Sequence, residues 1–129
     1  MNLLLEIITP EKVVYKDEVE EIVVPTINGE IAILPNHVGL LTQVTPGELI
    51  IKKGSSQQYL AITGGFLEVA DNKISILADY AIKAQDIEIA KAQEAKKRAE
   101  KLMEEKTSDN DLKIAQGEMI KAILELKVA

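Results

Sequence analysis

The sequence predicts a mainly β domain with an α appendage: an N-terminal small β-sandwich or flattened barrel, then a C-terminal antiparallel αα-hairpin. Three observations carry that expectation. Up to Gln85 the chain is rich in Ile, Val, Leu and Thr and holds all four prolines and every glycine but Gly117. Beyond Gln85 it turns to Ala, Glu and Lys, with no proline. The apolar period changes at the same point, from short runs between turn residues to three- and four-residue steps. Residues 1–85 therefore read as the sandwich and residues 86–129 as a two-helix unit.

The strands follow in order. Leu3 to Ile8 runs to Thr9-Pro10-Glu11, Lys12 to Lys16 comes next, and Val19 to Val24 ends at Pro25. Asn28-Gly29 is a tight-turn dipeptide, after which Glu30 to Leu34 resumes the extended pattern until Pro35. Pro46-Gly47 precedes Glu48 to Lys52, and Gly54-Ser55-Ser56 separates that run from Gln57 to Ile62. Gly64-Gly65 reads as a bulge or a close backbone approach before Phe66 to Val69. The Asp71-Asn72 turn and Ile74 to Leu77 complete the set. With one phenylalanine and no tryptophan, the core must be aliphatic.

In the second part Ile87, Ala92, Ala95, Ala99, Leu102 and Met103 share one helical face, with Asp86 placed to cap its start. Thr107-Ser108-Asp109-Asn110 is a polar break, and Ser108 with Asp111 resembles a capping box. Leu112, Ala115, Met119, Ala122 and Leu126 form the facing stripe of the second helix. A short break makes the helices antiparallel neighbours. Their seam is mostly alanine, which allows close approach but buries little apolar area, so at ~25 cal/mol per Å² it stabilises weakly. Gly117 costs the second helix roughly another 1 kcal/mol against alanine. The hairpin should open or close according to what it touches.

Composition excludes several classes of function. The net charge is −6, so there is no basic field for nucleic-acid phosphates, and four aromatic rings offer little stacking surface. The absence of cysteine rules out disulfides, thiolate nucleophiles and cysteine zinc sites, and one histidine rules out zinc sites that need two. No apolar run reaches the ~20 residues that cross a bilayer, and Met1-Asn2-Leu3-Leu4-Leu5-Glu6 lacks the basic start of a signal peptide. These features point to a cytoplasmic protein.

Few residues invite chemistry. His37 follows Pro35-Asn36 in a turn with no Ser or Asp partner adjacent, so it reads as a loop residue rather than a general base. Asp17-Glu18-Glu20-Glu21 lacks calcium-loop order and reads as solvated strand ends. No phosphate-loop spacing occurs. Lys96, Lys97, Arg98 and Lys101 make the first helix basic, either as a solvated face or as a docking face for an acidic protein surface.

Gly29-Glu30-Ile31-Ala32-Ile33-Leu34-Pro35-Asn36-His37, followed by Leu40-Leu41-Thr42 and Pro46-Gly47, resembles the epsilon subunit of the F-type ATP synthase. So do Ile8-Thr9-Pro10-Glu11, Ile62-Thr63-Gly64-Gly65-Phe66-Leu67-Glu68-Val69, Ile76-Leu77-Ala78-Asp79 and the Ala/Glu/Lys tail. The resemblance spans essentially the whole chain. Ala32 stands where a glycine is common, and Gly39 where a proline is.

The resemblance implies a non-catalytic rotor subunit that couples ion flow through the ring of c subunits to ATP synthesis. Its partners would be the gamma subunit, the c-ring and the alpha and beta subunits, with membrane association only through the complex, at the cytoplasmic face of a bacterial membrane. Glu30, His37, Leu40 and Thr42 would face gamma and the c-ring. The hairpin would either fold down on the sandwich or extend into the catalytic head and oppose ATP hydrolysis, with Lys96, Lys97, Arg98 and Lys101 docking on acidic beta-subunit surfaces. Some bacterial members bind regulatory ATP through Ile/Leu-Asp-x-x-Arg-Ala; the matching residues here are Ile87, Glu88, Lys91 and Ala92, with Ile82 where an upstream acid is usual. Glu88 is one methylene longer than aspartate, and Lys91 lacks the planar two-pronged contact of arginine. The rival classes are a free-standing ATP or anion sensor and an enzyme built around His37.

Overall fold

A computed structural model describes residues 2–104 and 109–129. Ten strands and two helices follow one another along these residues: β1 (Leu3–Ile8), β2 (Val13–Val19), β3 (Glu21–Thr26), β4 (Gly29–Ile33), β5 (Leu40–Val44), β6 (Gly47–Lys53), β7 (Ser56–Ile62), β8 (Gly65–Ala70), β9 (Lys73–Ala78), β10 (Ala81–Lys83), α1 (Ile89–Glu104) and α2 (Asp109–Val128). The expected sandwich-then-hairpin class is the observed one.

The strands join in the order β10-β7-β6-β3-β5-β8-β9-β1-β2, with β4 paired to β3. All neighbours are antiparallel except β1 and β9, which run parallel with Leu5 opposite Ile74 and Ile7 opposite Ile76. That pairing ties the first strand to the ninth. It curls the sheet until its edge strands β10 and β2 approach, with Lys83 Nζ 5.8 Å from the Tyr15 ring centre, and Lys53 of β6 pairs with Asp17 of β2 across the same gap at 2.5 Å. The result is a flattened, nearly closed barrel. Strict alternation in β1 sends Leu3, Leu5 and Ile7 inward, where they meet Ile22, Leu67 and Ile76 in an aliphatic core. Phe66 is 58% exposed and takes no part in that core.

Several local expectations change. β3 continues through Pro25 to Thr26 instead of stopping at the proline. Pro25 lies where the partner of β3 changes from β6 to β5, so its missing N–H leaves no ladder bond unmade, and its carbonyl accepts from Thr45 N–H. β5 and β10 are strands that the turn-bounded reading did not mark. Asn28-Gly29 does turn the β3–β4 hairpin, with Gly29 at φ 99°. At Gly65, φ is 153° and a β carbon would collide with the Leu77 carbonyl oxygen, so the expected close backbone approach is real.

The hairpin seam is alanine: Ala92 and Ala99 of α1 and Ala115 and Ala122 of α2 are buried, with Met103 and Met119 half-buried beside them. Asp86 does not cap α1. It ends a single 3-10 turn, Ala84–Asp86, while α1 begins at Ile89, so Ile87 lies before the helix. Leu102 is exposed at the edge of the seam. Asp109 and Asn110, expected in the break, already belong to α2. Thr107, Ser108 and the capping box lie outside the described residues.

Two outcomes follow. Every residue of the core cluster precedes Gln85, so a fragment of residues 1–85 should give a dispersed amide spectrum; a collapsed one would refute an independent sandwich. Gly65→Ala forces the backbone of β8 away from β9, and urea unfolding should show a loss of about 2–4 kcal/mol. An unchanged midpoint would mean that the approach relaxes freely.

Candidate functional site

The helices rest on β6 and β7, and the connection through β10 and the 3-10 turn leaves a groove between hairpin and sandwich. Its volume is about 370 Å³. Tyr80 and Ile82 form one wall, Asp86, Glu88, Lys91 and Arg98 come from the connection and α1, and Glu118, Lys121 and Glu125 project from α2. Lys121, Glu125 and Val128 recur at steps of four and three, which puts them on one stripe of α2.

Tyr80 is the centre of this contact. Its backbone carbonyl accepts from Thr63 N–H at 3.1 Å and from the Thr63 hydroxyl at 3.3 Å, which fixes the residue to the sandwich. Its own hydroxyl donates to Glu125 Oε1 at 2.5 Å, and Lys121 Nζ stands 3.9 Å from its ring centre. Burial first, then the bond to Glu125 and the negative charges of Glu125 and Glu11, push the Tyr80 hydroxyl well above the ordinary tyrosine range.

Of the proposed nucleotide residues, Glu88 and Lys91 reach the groove. Ala92 is buried in the helix seam, and Ile87 is half-buried in the connection. Lys91 Nζ is paired with Glu88 Oε2 at 2.9 Å, which holds the Lys91 pKa above its usual range. Three cationic side chains, Lys91, Arg98 and Lys121, share the groove with four carboxylates, Asp86, Glu88, Glu118 and Glu125. A triphosphate brings several negative charges, and this surface supplies no net positive charge to offset them.

The basic residues of α1 do not share one face. Lys97 and Lys101, one turn apart, are exposed together; Arg98 turns into the groove; Lys96 is half-buried on the opposite flank.

The sandwich presents a second surface. Glu30 is exposed at the β3–β4 turn, and His37 lies half-exposed in the loop between β4 and β5. The His37 Nδ1 bonds the Val38 carbonyl at 2.7 Å; a carbonyl only accepts, so Nδ1 carries the proton. Leu40 and Thr42 point to the inner side of β5, opposite buried Val69 and Leu67, with Leu40 packed against the core. Leu41 between them is 72% exposed. The ladder also aligns Gln43, Phe66, Leu77 and Ile8 as a row across β5, β8, β9 and β1. Phe66 and Leu77 are 58% and 56% exposed beside a hollow lined by Thr9, Pro10 and Asp79. Phe66 and Leu77 thus form an exposed apolar pair on the outer face of the sheet. It lies on the strands that the hairpin does not cover.

Sequence reasoning passed over Tyr80, Glu125 and the outward-facing Phe66–Leu77 pair. The available signal was scarcity: in a chain with four aromatic rings, Tyr80 stands at the end of the sandwich and Phe66 sits out of phase with the core positions of β8.

Comparison with known proteins agrees with this architecture. Residues 2–84 match the family described as ATP synthase, Delta/Epsilon chain, beta-sandwich domain, and residues 85–129 match its long alpha-helix domain. The ATP synthase epsilon chain of Dehalococcoides mccartyi is 44% identical over 129 residues, covering 99% of this chain and 92% of that protein. That of Herpetosiphon aurantiacus is 42% identical over 130 residues, covering 100% and 95%. Among solved structures, a chain of the Euglena gracilis mitochondrial ATP synthase OSCP/F1/c-ring assembly superposes with a TM-score of 0.74 at 25% identity, covering 98% of this chain and 79% of that one.

The Tyr80 environment has a measurable consequence. The proton is held more tightly in the closed form, so closure is fully supported below the ordinary tyrosine pKa of about 10 and weakens as pH rises through the raised value. The tyrosinate absorbance of wild type minus Tyr80→Phe should rise well above the ordinary range in the full chain. In the 1–85 fragment, which lacks Glu125, it should move back down. Identical curves would remove Glu125 as a cause of the shift.

Proposed function

The chain belongs to the delta/epsilon family of ATP synthase subunits as an epsilon chain, a non-catalytic part of that complex, and on that premise we propose that it works in the rotor. The sandwich docks on the gamma subunit and the c-ring, and the hairpin is a movable arm that opposes ATP hydrolysis when it extends toward the alpha and beta subunits. Association with the cytoplasmic face of a bacterial membrane then runs through the complex; among the described residues no helix is long and apolar enough to cross one.

The observation that carries this reading is the contrast between the two halves. The sandwich has a dense aliphatic core, and it keeps an uncovered apolar face at Phe66 and Leu77 and an exposed tip at Glu30 and Leu41. The helices meet through four alanines, so little apolar area resists their separation. A rigid docking base and a weakly held arm are what a rotor subunit with a switching element needs.

The arm's role is tested in the assembled complex. Truncation after residue 85 should leave assembly and ion-coupled activity intact while raising ATP hydrolysis several-fold. Replacing Lys96, Lys97, Arg98 and Lys101 with alanine keeps helix propensity and should recover much of that rise. The exposed Lys97 and Lys101 should account for most of the effect, and added salt should mimic it in wild type. If the quadruple variant stays as inhibited as wild type while the truncation is fully relieved, the arm acts by steric wedging. Loss of coupling in the truncated complex would refute the docking role of the sandwich.

A further inference from the structure

We propose that Tyr80, Lys121 and Glu125 form an intramolecular latch that holds the hairpin down on the sandwich without any bound ligand. The alanine seam joins α1 to α2, and it does nothing to fix the pair to the strands. That second task falls to the stripe of α2 carrying Lys121, Glu125 and Val128, because α2 is the helix that meets β6 and β7. On the sandwich side the stripe meets Tyr80, itself tied to Thr63 through its carbonyl.

The two contacts support one another. A hydroxyl donating to a carboxylate at 2.5 Å is a charge-assisted bond at the short end of its range. The Lys121 ammonium, 3.9 Å from the same ring centre, is drawn to the ring face and polarises the phenol toward stronger donation. Lys121 and Glu125 are one helical turn apart, so both contacts form and break together as α2 docks or lifts.

The groove chemistry explains why no ligand is required. Lys121 is engaged on the ring, Glu125 on the hydroxyl, and Lys91 on Glu88 at 2.9 Å. Two of the three cations that line the groove, Lys91 and Lys121, are thus already engaged in the closed form. The latch is a property of the isolated chain and stands whether or not the helices brake hydrolysis in the complex.

The chain contains no cysteine, so a single introduced thiol reports opening cleanly. Val128, 8% exposed on the latch stripe, serves as the reporter as Val128→Cys, and Val69→Cys in the sandwich core monitors global unfolding. When reclosing is faster than labelling, the labelling rate follows the open population, however small it is. In the full-length protein without nucleotide, Tyr80→Phe should speed labelling at position 128 on the order of ten-fold, the scale of a lost bond to a charged acceptor, and leave position 69 unchanged. Lys121→Met should raise the rate and Lys121→Arg should keep it near wild type, since arginine retains the cation over the ring. A second reporter, Leu124→Cys, half-buried on the same helix, should also label faster, by a smaller factor because it is partly reachable in the closed form. The latch is overturned if Tyr80→Phe leaves both α2 reporters unchanged, or if it speeds positions 69 and 128 equally. It is overturned too if millimolar ATP slows wild-type labelling at position 128 ten-fold or more, because closure would then be set by a ligand.

Discussion

Alanine at four facing positions governs how this molecule behaves. Ala92, Ala99, Ala115 and Ala122 let the two helix axes approach closely, and each removes only a methyl group from water. The sandwich buries Leu and Ile side chains completely, from Leu3 in the first strand to Ile76 in the ninth. The same chain thus contains one unit whose shape is over-determined and another whose position is set by a few contacts. On the proposed reading, two states of the second unit need differ by only a few kcal/mol while the first keeps its shape.

The parallel pairing of β1 with β9 makes that division possible. It joins the first strand to the last long one and so closes the sandwich before the chain reaches the helices. Nothing in the core cluster waits for the hairpin. The uncovered Phe66–Leu77 row lies on the strands around this closure, and the hairpin rests on β6 and β7 in the other half of the sheet. In the proposed role, docking through one side and switching through the other need not compete for the same surface.

Much of this was legible in the sequence, and the exceptions have physical causes. The change of period near Gln85, the Asn28-Gly29 turn and the alanine seam are local signals, and the structure carries all three. β5 was hidden because exposed Leu41 among inward-facing neighbours breaks the apolar alternation of Leu40–Val44. β10 was hidden because three residues are too few to show a period. Pro25 misled because a proline ends a strand only where its N–H is needed. The groove was half visible: Glu88 and Lys91 could be read from spacing, whereas Tyr80 and Glu125, separated by 45 residues, meet only through the path of the chain. Charge patterning showed a basic run on α1 but could not tell that Arg98 borders the groove while Lys97 and Lys101 lie off it.

The placement of Tyr80 completes the argument. It stands between β9 and β10, at the point where the closed sandwich hands over to the connection that leads into α1. A contact at the start of that connection restrains the arm close to its root, where a small displacement of α2 breaks both the hydroxyl bond and the ring contact. α2 also exposes Ile114, Ile120 and Ile123 to solvent, apolar groups that the folded-down form leaves uncovered. An arm with exposed apolar side chains beside a polar grip gains contact area whenever a partner offers a matching surface. If the arm extends as proposed, closure by a short polar latch and extension by apolar contact oppose each other through different chemistry, so one can be altered by substitution without rebuilding the other.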